Sequence, residues 1–432
     1  MMFGKMVNGF FLLAMYFLLT GQAVSGPLDT LQPGHWYEAS SNTLEDVSPT
    51  PFDSKVRGVI DAWSGAAYDT KRDRLIVWGG GHGDYWGNEV YVFDINTLAW
   101  DRLNDPYWPA KEFGWGVGES IHADGSPASR HTYDGLEYLP NQDRFWIMGG
   151  SRWRDGNGDQ VTALFNFNSL SWERKADAPI TANIGVATAY DPVSQQILLH
   201  AAGVLAKYDP ASGSWSRLRQ DGAINGMVGE VDPVNRKFVV VGKGNAYLYD
   251  ISDLGNVTRS SLNAVGDKTM EGTVPGLAYD PATGKIVAWD GGADVFTLDL
   301  SVSPPVWSRI TPASGNSVTP TAATKWGTYG RWRYVPSKGV FVGVNSSSGS
   351  VYFYKLSADA GSGGGGSTTP LPTISLNADT TTLPSGSSAT LSWSVSDATS
   401  CSASGAWSGS KALSGSESTG ALSASSTFTL TC

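Results

Sequence analysis

One strand pattern occurs six times between residues 65 and 347, and it constrains the fold more than any other feature of the chain. GAAYDTKRDRLIVWGGG (65–81) is followed by GLEYLPNQDRFWIMGG (135–150), ATAYDPVSQQILLHAAG (187–203) and GEVDPVNRKFVVVGKG (229–244). GLAYDPATGKIVAWDGG (276–292) and RWRYVPSKGVFVGVNSS (331–347) complete the set. Each copy is a short strand, a turn carrying Asp, Pro, Asn or Lys, and a strongly apolar strand that usually stops at glycine. Proline presets φ in such turns and glycine tolerates φ > 0, so the punctuation has a physical cause.

Several copies continue with a third strand and a fourth marked by tryptophan, as in VYVFDINTLAWDRL (90–103), ALFNFNSLSWERK (163–175), LAKYDPASGSWSRL (205–218) and DVFTLDLSVSPPVWSRI (294–310). Four antiparallel strands at a period of roughly 40–50 residues predict the blades of a β-propeller, with each outer tryptophan packed between neighbouring blades. The sixth copy ends at SVYFYKL (350–356) with no tryptophan strand, while GHWYEAS (34–40) stands alone before the first. The pattern therefore predicts that Trp36 supplies the missing outer strand and closes the ring, which removes open sheet edges.

The double glycine after the second strand, the aromatic in the third and the tryptophan in the fourth resemble kelch repeats over residues 34–357. The resemblance implies an all-β fold, a six-bladed kelch-type β-propeller, and by itself no single function. Composition agrees: 52 glycines, 17 tryptophans and 16% charged residues favour an all-β chain with many turns. A net charge of −10 argues against a duplex nucleic-acid binder, whose affinity comes from basic residues on phosphates.

Lys5 followed by FFLLAMYFLL (10–19) and Ala23-Val24-Ser25 reads as a secretory signal over residues 1–25. The expectation is a secreted monomer with no membrane span after cleavage. Residues 358–372, SADAGSGGGGSTTPLP in context, read as a Gly/Ser/Pro linker. Residues 373–432 alternate apolar and polar positions and resemble a bacterial immunoglobulin-like β-sandwich with Trp393 in its core. The region is shorter than the ~100 residues usual for such sandwiches and stops in a strand, so the expectation is an incomplete module that acts as a spacer. Cys401 and Cys432 are the only cysteines, and in an exported protein they are expected to form a disulfide.

Two sets of loops converge on one mouth of such a propeller: those leading into each first strand and those joining the second strand to the third. The stretch WGGGHGDYWGNEV (78–90) is a second-to-third loop, and it places His82, Asp84, Tyr85 and Asn88 at that mouth. SRHTY (129–133) and SRWRDGNGD (151–159) bring Arg130, His131, Tyr133, Arg152 and Arg154 to the same face. In register, His131 matches Asp61 and Asn183, and Trp63 matches Tyr133 and Tyr329. Gly79–Gly81 read as a tight backbone path. His82 and His131 could equally bind backbone groups, and Asp84 and Asn88 could be turn formers.

The aromatics expected at the mouth, Trp63, Tyr85, Trp86, Trp153 and Trp326, suit the C–H faces of sugar rings, and Arg130, Arg152, Arg154, Arg331 and Arg333 are expected to receive carboxylates or sulfates. The expected partner is a polysaccharide or a cell-surface glycan or protein. The alternative is a polysaccharide lyase for uronate polymers. That chemistry needs a cation on the carboxylate, a base for the C5 proton and an acid for the leaving oxygen. His82, His131, Tyr133 and Arg152 include each type. Propeller lyases acting on ulvan-like polymers use such sets; the chain resembles them in fold type and residue kinds only, with six blades instead of seven. No cofactor and no metal is expected. A copper-radical oxidase of the galactose oxidase kind needs a cysteine cross-linked to tyrosine, and the six repeats contain no cysteine.

Overall fold

A computed structural model describes residues 26–222, 226–356, 373–380, 382–396 and 400–431. The signal segment, the linker and Cys432 lie outside these residues, and so does the expected disulfide. The chain is nearly all β.

Six small sheets occupy residues 36–354, five of four strands and one of five. Their first strands are Ala66–Asp69, Leu136–Leu139, Val186–Asp191, Val228–Asp232, Gly276–Asp280 and Trp332–Val335. Each first strand packs against the first strand of the next sheet, and the sixth returns to the first, in a propeller-like ring. Within every sheet the strands run antiparallel in chain order, with two exceptions. In the sixth sheet the outer strand is Trp36–Ala39, paired to Val351–Tyr354 with Trp36 opposite Tyr354. In the fifth, Val265–Gly266 adds a short parallel strand beside Val306–Ile310.

The repeated Asp at the end of the first strand makes the same turn each time. Asp69, Asp191, Asp232 and Asp280 accept the backbone N–H two residues on, at 3.1, 3.1, 2.9 and 3.1 Å. This Asx geometry reverses the chain into the apolar second strand. The outer tryptophans bridge neighbouring sheets. Trp36 packs on Trp289 and Trp332 and donates from Nε1 to the Ala293 carbonyl at 2.8 Å. Trp215 of the third sheet donates to Thr162 Oγ1 of the second at 3.0 Å. Tryptophan at this position gives a large apolar area between sheets; Trp36 and Trp215 also satisfy their N–H groups, whereas the buried Trp100 and Trp172 N–H groups have no partner among the described residues.

Residues 373–431 form two three-stranded antiparallel sheets. They share an apolar cluster around Trp393, Trp407 and Cys401, with the two indoles 5.4 Å apart.

Candidate functional site

Three glycines set the loop that presents His82. Gly79, Gly80 and Gly81 have φ of 102°, 155° and 93°, and the loop folds back so that Tyr85 N–H reaches the Gly80 carbonyl at 2.9 Å. A Cβ on Gly81 would lie 2.5 Å from the His131 ring and 2.7 Å from Asp84 Oδ2. Only glycine combines this backbone with that approach, so Gly81 is the floor on which His131 and Asp84 meet.

The meeting is direct. His131 Nε2 lies 3.2 Å from Asp84 Oδ2. The His82 ring stands edge-on to His131 with centroids 4.7 Å apart, and Trp63 lies 4.6 Å from His131 on another side. Trp63 in turn stacks on Trp326 at 3.9 Å and 23°. Trp63, Tyr133 and Tyr329 occupy the same place ahead of three first strands, and all three are left-handed, with φ of 49°, 50° and 51°. Bulky residues rarely adopt that region, and here it is held by the ring itself: Tyr133 N–H donates to the Trp63 carbonyl.

His82, His131, Tyr133, Trp63 and Trp326 line one cavity of about 830 Å³ at the mouth. Ser151, Asn183, Lys243, Thr273, Asp290, Thr324 and Lys325 add to its polar lining. Burial, and then the neighbouring His131, hold the His82 imidazole below its ordinary pKa, so it is neutral at pH 7. His82 Nδ1 is buried without a hydrogen-bond partner among the described residues. The hydrogen bond from His131 lowers the Asp84 carboxyl, and burial raises the Tyr133 phenol. Burial likewise raises Asp290, which accepts from Thr328 Oγ1 at 2.8 Å.

Nine of the expected site residues lie elsewhere, and their bonds explain why. Tyr85 is buried and donates to Glu89 Oε1 at 2.6 Å. Asn88 donates to Ser126 Oγ and the Pro127 carbonyl and accepts from Tyr107 N–H. Arg130 is 1% exposed, spans the carbonyls of Ala128, Gly149 and Ser120, and lies 3.2 Å from Asp159. Arg152 grips Asp155 and Ser120 Oγ, and Arg154 donates to the Phe113 carbonyl at 2.6 Å. Trp86 and Trp153 are buried and bond Asp53 and the Ala110 carbonyl, and Arg331 and Arg333 bond backbone carbonyls inside the ring. The placement at the mouth is therefore corrected for these four and for Tyr85, Asn88, Arg130, Arg152 and Arg154. The last four clamp the segment 104–128, a long insertion ahead of the second sheet. His122 belongs to the same packing, stacked on Tyr107 at 4.4 Å with Nδ1 2.6 Å from Glu119. His200 is a buried core residue whose pKa burial pushes down to about 4.

The sequence pattern did not single out Lys243, Lys325 or Asn183 as lining residues. Asn183 shares the register position of His131, and that was the one available signal. Among the described residues no group of three or more His, Cys, Asp or Glu side chains is placed to hold a metal ion.

No protein-family model and no curated protein matches the sequence. Among solved structures, a fungal alcohol oxidase of the AA5 family in complex with copper is 12% identical, with a TM-score of 0.44 over 80% of this chain and 84% of that one. A protein of unknown function from Bacteroides thetaiotaomicron is 12% identical, with a TM-score of 0.46 over 74% of this chain and 75% of that one. Likenesses this remote carry no assignment of activity.

Proposed function

We propose that residues 34–357 are a six-bladed kelch-type propeller, exported as a monomer, that binds a glycan at the mouth described above. The observation that carries this reading is the Trp63–Trp326 stack, 3.9 Å apart, on the wall of an 830 Å³ cavity whose other walls offer imidazole, amide, hydroxyl and ammonium groups. Apolar ring faces with a few convergent polar groups are what a sugar needs: stacking for the C–H face, hydrogen bonds for the hydroxyls. The C-terminal sheets serve, in this reading, as an immunoglobulin-like spacer. Trp326→Ala is expected to weaken binding in a glycan panel about tenfold, the loss of one aromatic platform of about 1–1.5 kcal/mol. Thermal stability should fall only slightly, because the side chain is partly exposed and loses only its stack on Trp63. Full retention of affinity would refute the mouth as the binding site.

A second reading has its own support, the neutral His82 beside His131 and Tyr133. In a uronate lyase His82 takes the C5 proton, the freed pair forms the C4=C5 bond, the C4–O bond breaks, and Tyr133 protonates the leaving oxygen. Arg152 is engaged with Asp155, so the carboxylate would fall to Lys243 or Lys325. Incubation with uronate polymers tests this reading. Unsaturated product absorbing in the ultraviolet, and lost in His82→Ala, would establish it; binding without product would remove it.

A further inference from the structure

A second hollow of about 360 Å³ adjoins the cavity, and Trp326 lines both. Its walls are Lys55, Arg57, Asp61, Gly83 and Asp84 with nearby backbone. Beyond it the insertion 104–128 reaches the same loop. Trp115, 66% exposed, packs so closely on Gly83 that a Cβ there would lie 2.9 Å from its ring. The Arg154 guanidinium lies over that indole at 4.7 Å. The hollow thus sits between two exposed tryptophans.

Several arginines elsewhere are tied to carboxylates: Arg72 to Asp143, Arg102 to Asp105, Arg236 to Asp191 and Arg309 to Asp267. Lys55 and Arg57 are exposed and form no ion pair among the described residues. Neither does Lys325, whose Nζ rests 4.1 Å over Trp326, nor Lys243 across the cavity. Two carboxylates share the hollow: Asp84, which is bonded to His131, and Asp61; Arg57 acts on both through space without forming an ion pair with either among the described residues. Four basic side chains without an ion pair among the described residues, Lys55, Arg57, Lys243 and Lys325, therefore lie around the two adjoining hollows of a protein of net charge −10.

We infer that this hollow is a second subsite of the same mouth, and that Lys55 and Arg57 there receive the carboxylate or sulfate of an acidic polysaccharide whose neighbouring sugar lies on Trp326. The inference rests on the glycan reading above and adds the substrate class. Cations without internal partners keep their charge available to a ligand, and guanidinium takes either oxyanion in a fork.

The full chain carrying both Lys55→Ala and Arg57→Ala is compared with the unchanged chain on three polysaccharides: sulfated, uronate-rich and neutral. Affinity for the acidic polymers is expected to fall about tenfold, two exposed charge-assisted contacts being worth that much together. The salt dependence of binding should become shallower, because exposed charges are screened. Affinity for the neutral polymer should be unchanged, and so should thermal stability. Desulfated and carboxyl-reduced versions of the acidic polymers then show which oxyanion is read. Equal affinity of the two proteins for the acidic polymers, or an equal loss on the neutral one, overturns the inference while leaving the mouth reading intact. Failure of the unchanged chain to bind any of the three overturns both.

Discussion

The ring holds two groups of charged side chains, one at the mouth and one inside, and they differ in whether their bonding capacity is used up. Inside, Arg333 of the sixth sheet donates to the carbonyls of Ala66 and Leu136, in the first and second sheets. It lies 3.9 Å from Asp134 and 3.7 Å from Glu137. Asp134 accepts from Gly229 N–H in the fourth sheet, and Glu137 from Thr188 Oγ1 in the third. One cluster thereby ties five first strands together around the axis. At the mouth, among the described residues, His82 Nδ1 has no hydrogen bond and Lys243 and Lys325 have no ion pair. A charged residue near the axis is thus structural when the protein consumes its hydrogen bonds, and available to a ligand when it does not.

The sharpest way to break this contrast is at Arg333. Arg333→Ala leaves Asp134 and Glu137 buried without their cation, and a loss of about 3–5 kcal/mol of folding stability is expected. Chemical denaturation measures it. A loss below 1 kcal/mol would mean that the interior group is as dispensable as a surface pair.

The next effect is a pH dependence from the same cluster. Burial raises the Glu230 carboxyl to about 7. A carboxyl whose folded pKa lies above its unfolded value favours the folded state at low pH. Stability is then lost as pH rises from about 4.5, the ordinary value, through 7. Burial raises Asp134 and Glu137 as well, so Glu230→Gln should make that slope shallower rather than abolish it, with a gain of ~1–3 kcal/mol at pH 8. A slope unchanged in the variant would exclude Glu230 as its source.

A smaller effect separates the clamps from the site. Arg152→Ala should cost about 1–2 kcal/mol of stability through the lost Asp155 and Ser120 bonds, with glycan affinity retained. Affinity lost at full stability would return Arg152 to the list of ligand contacts.

These residues also show what could be read from sequence. The six sheets, the Asx turns and the Trp36 strand were legible because they repeat, and a repeated residue must satisfy the same local geometry each time. His131, Tyr133 and Trp63 line one cavity with His82 and Trp326, and the first three could be read because their register positions recur in several copies. Arg130, Arg152 and Arg154 misled because they sit at the right register but bond to the insertion 104–128, which occurs once. Periodicity says where a Cα lies; it does not say what an unrepeated loop will offer a guanidinium. Lys243 follows a second strand as His82 does, yet a lone lysine beside glycine carries no pattern.

The smallest effect tests the mouth itself. Asp84 is about half exposed, and its hydrogen bond from His131 lowers its pKa. A carboxyl lowered in the folded state contributes stability that is present above its unfolded pKa and lost as pH falls through the folded one. Solvent screening keeps this small, so Asp84→Asn should cost no more than ~0.5 kcal/mol near neutral pH and nothing in acid. The cost in binding should exceed the cost in folding, because His131 then loses the group that orients it beside Trp63. The reverse order would place Asp84 with the interior cluster, as a residue whose bonding serves the fold.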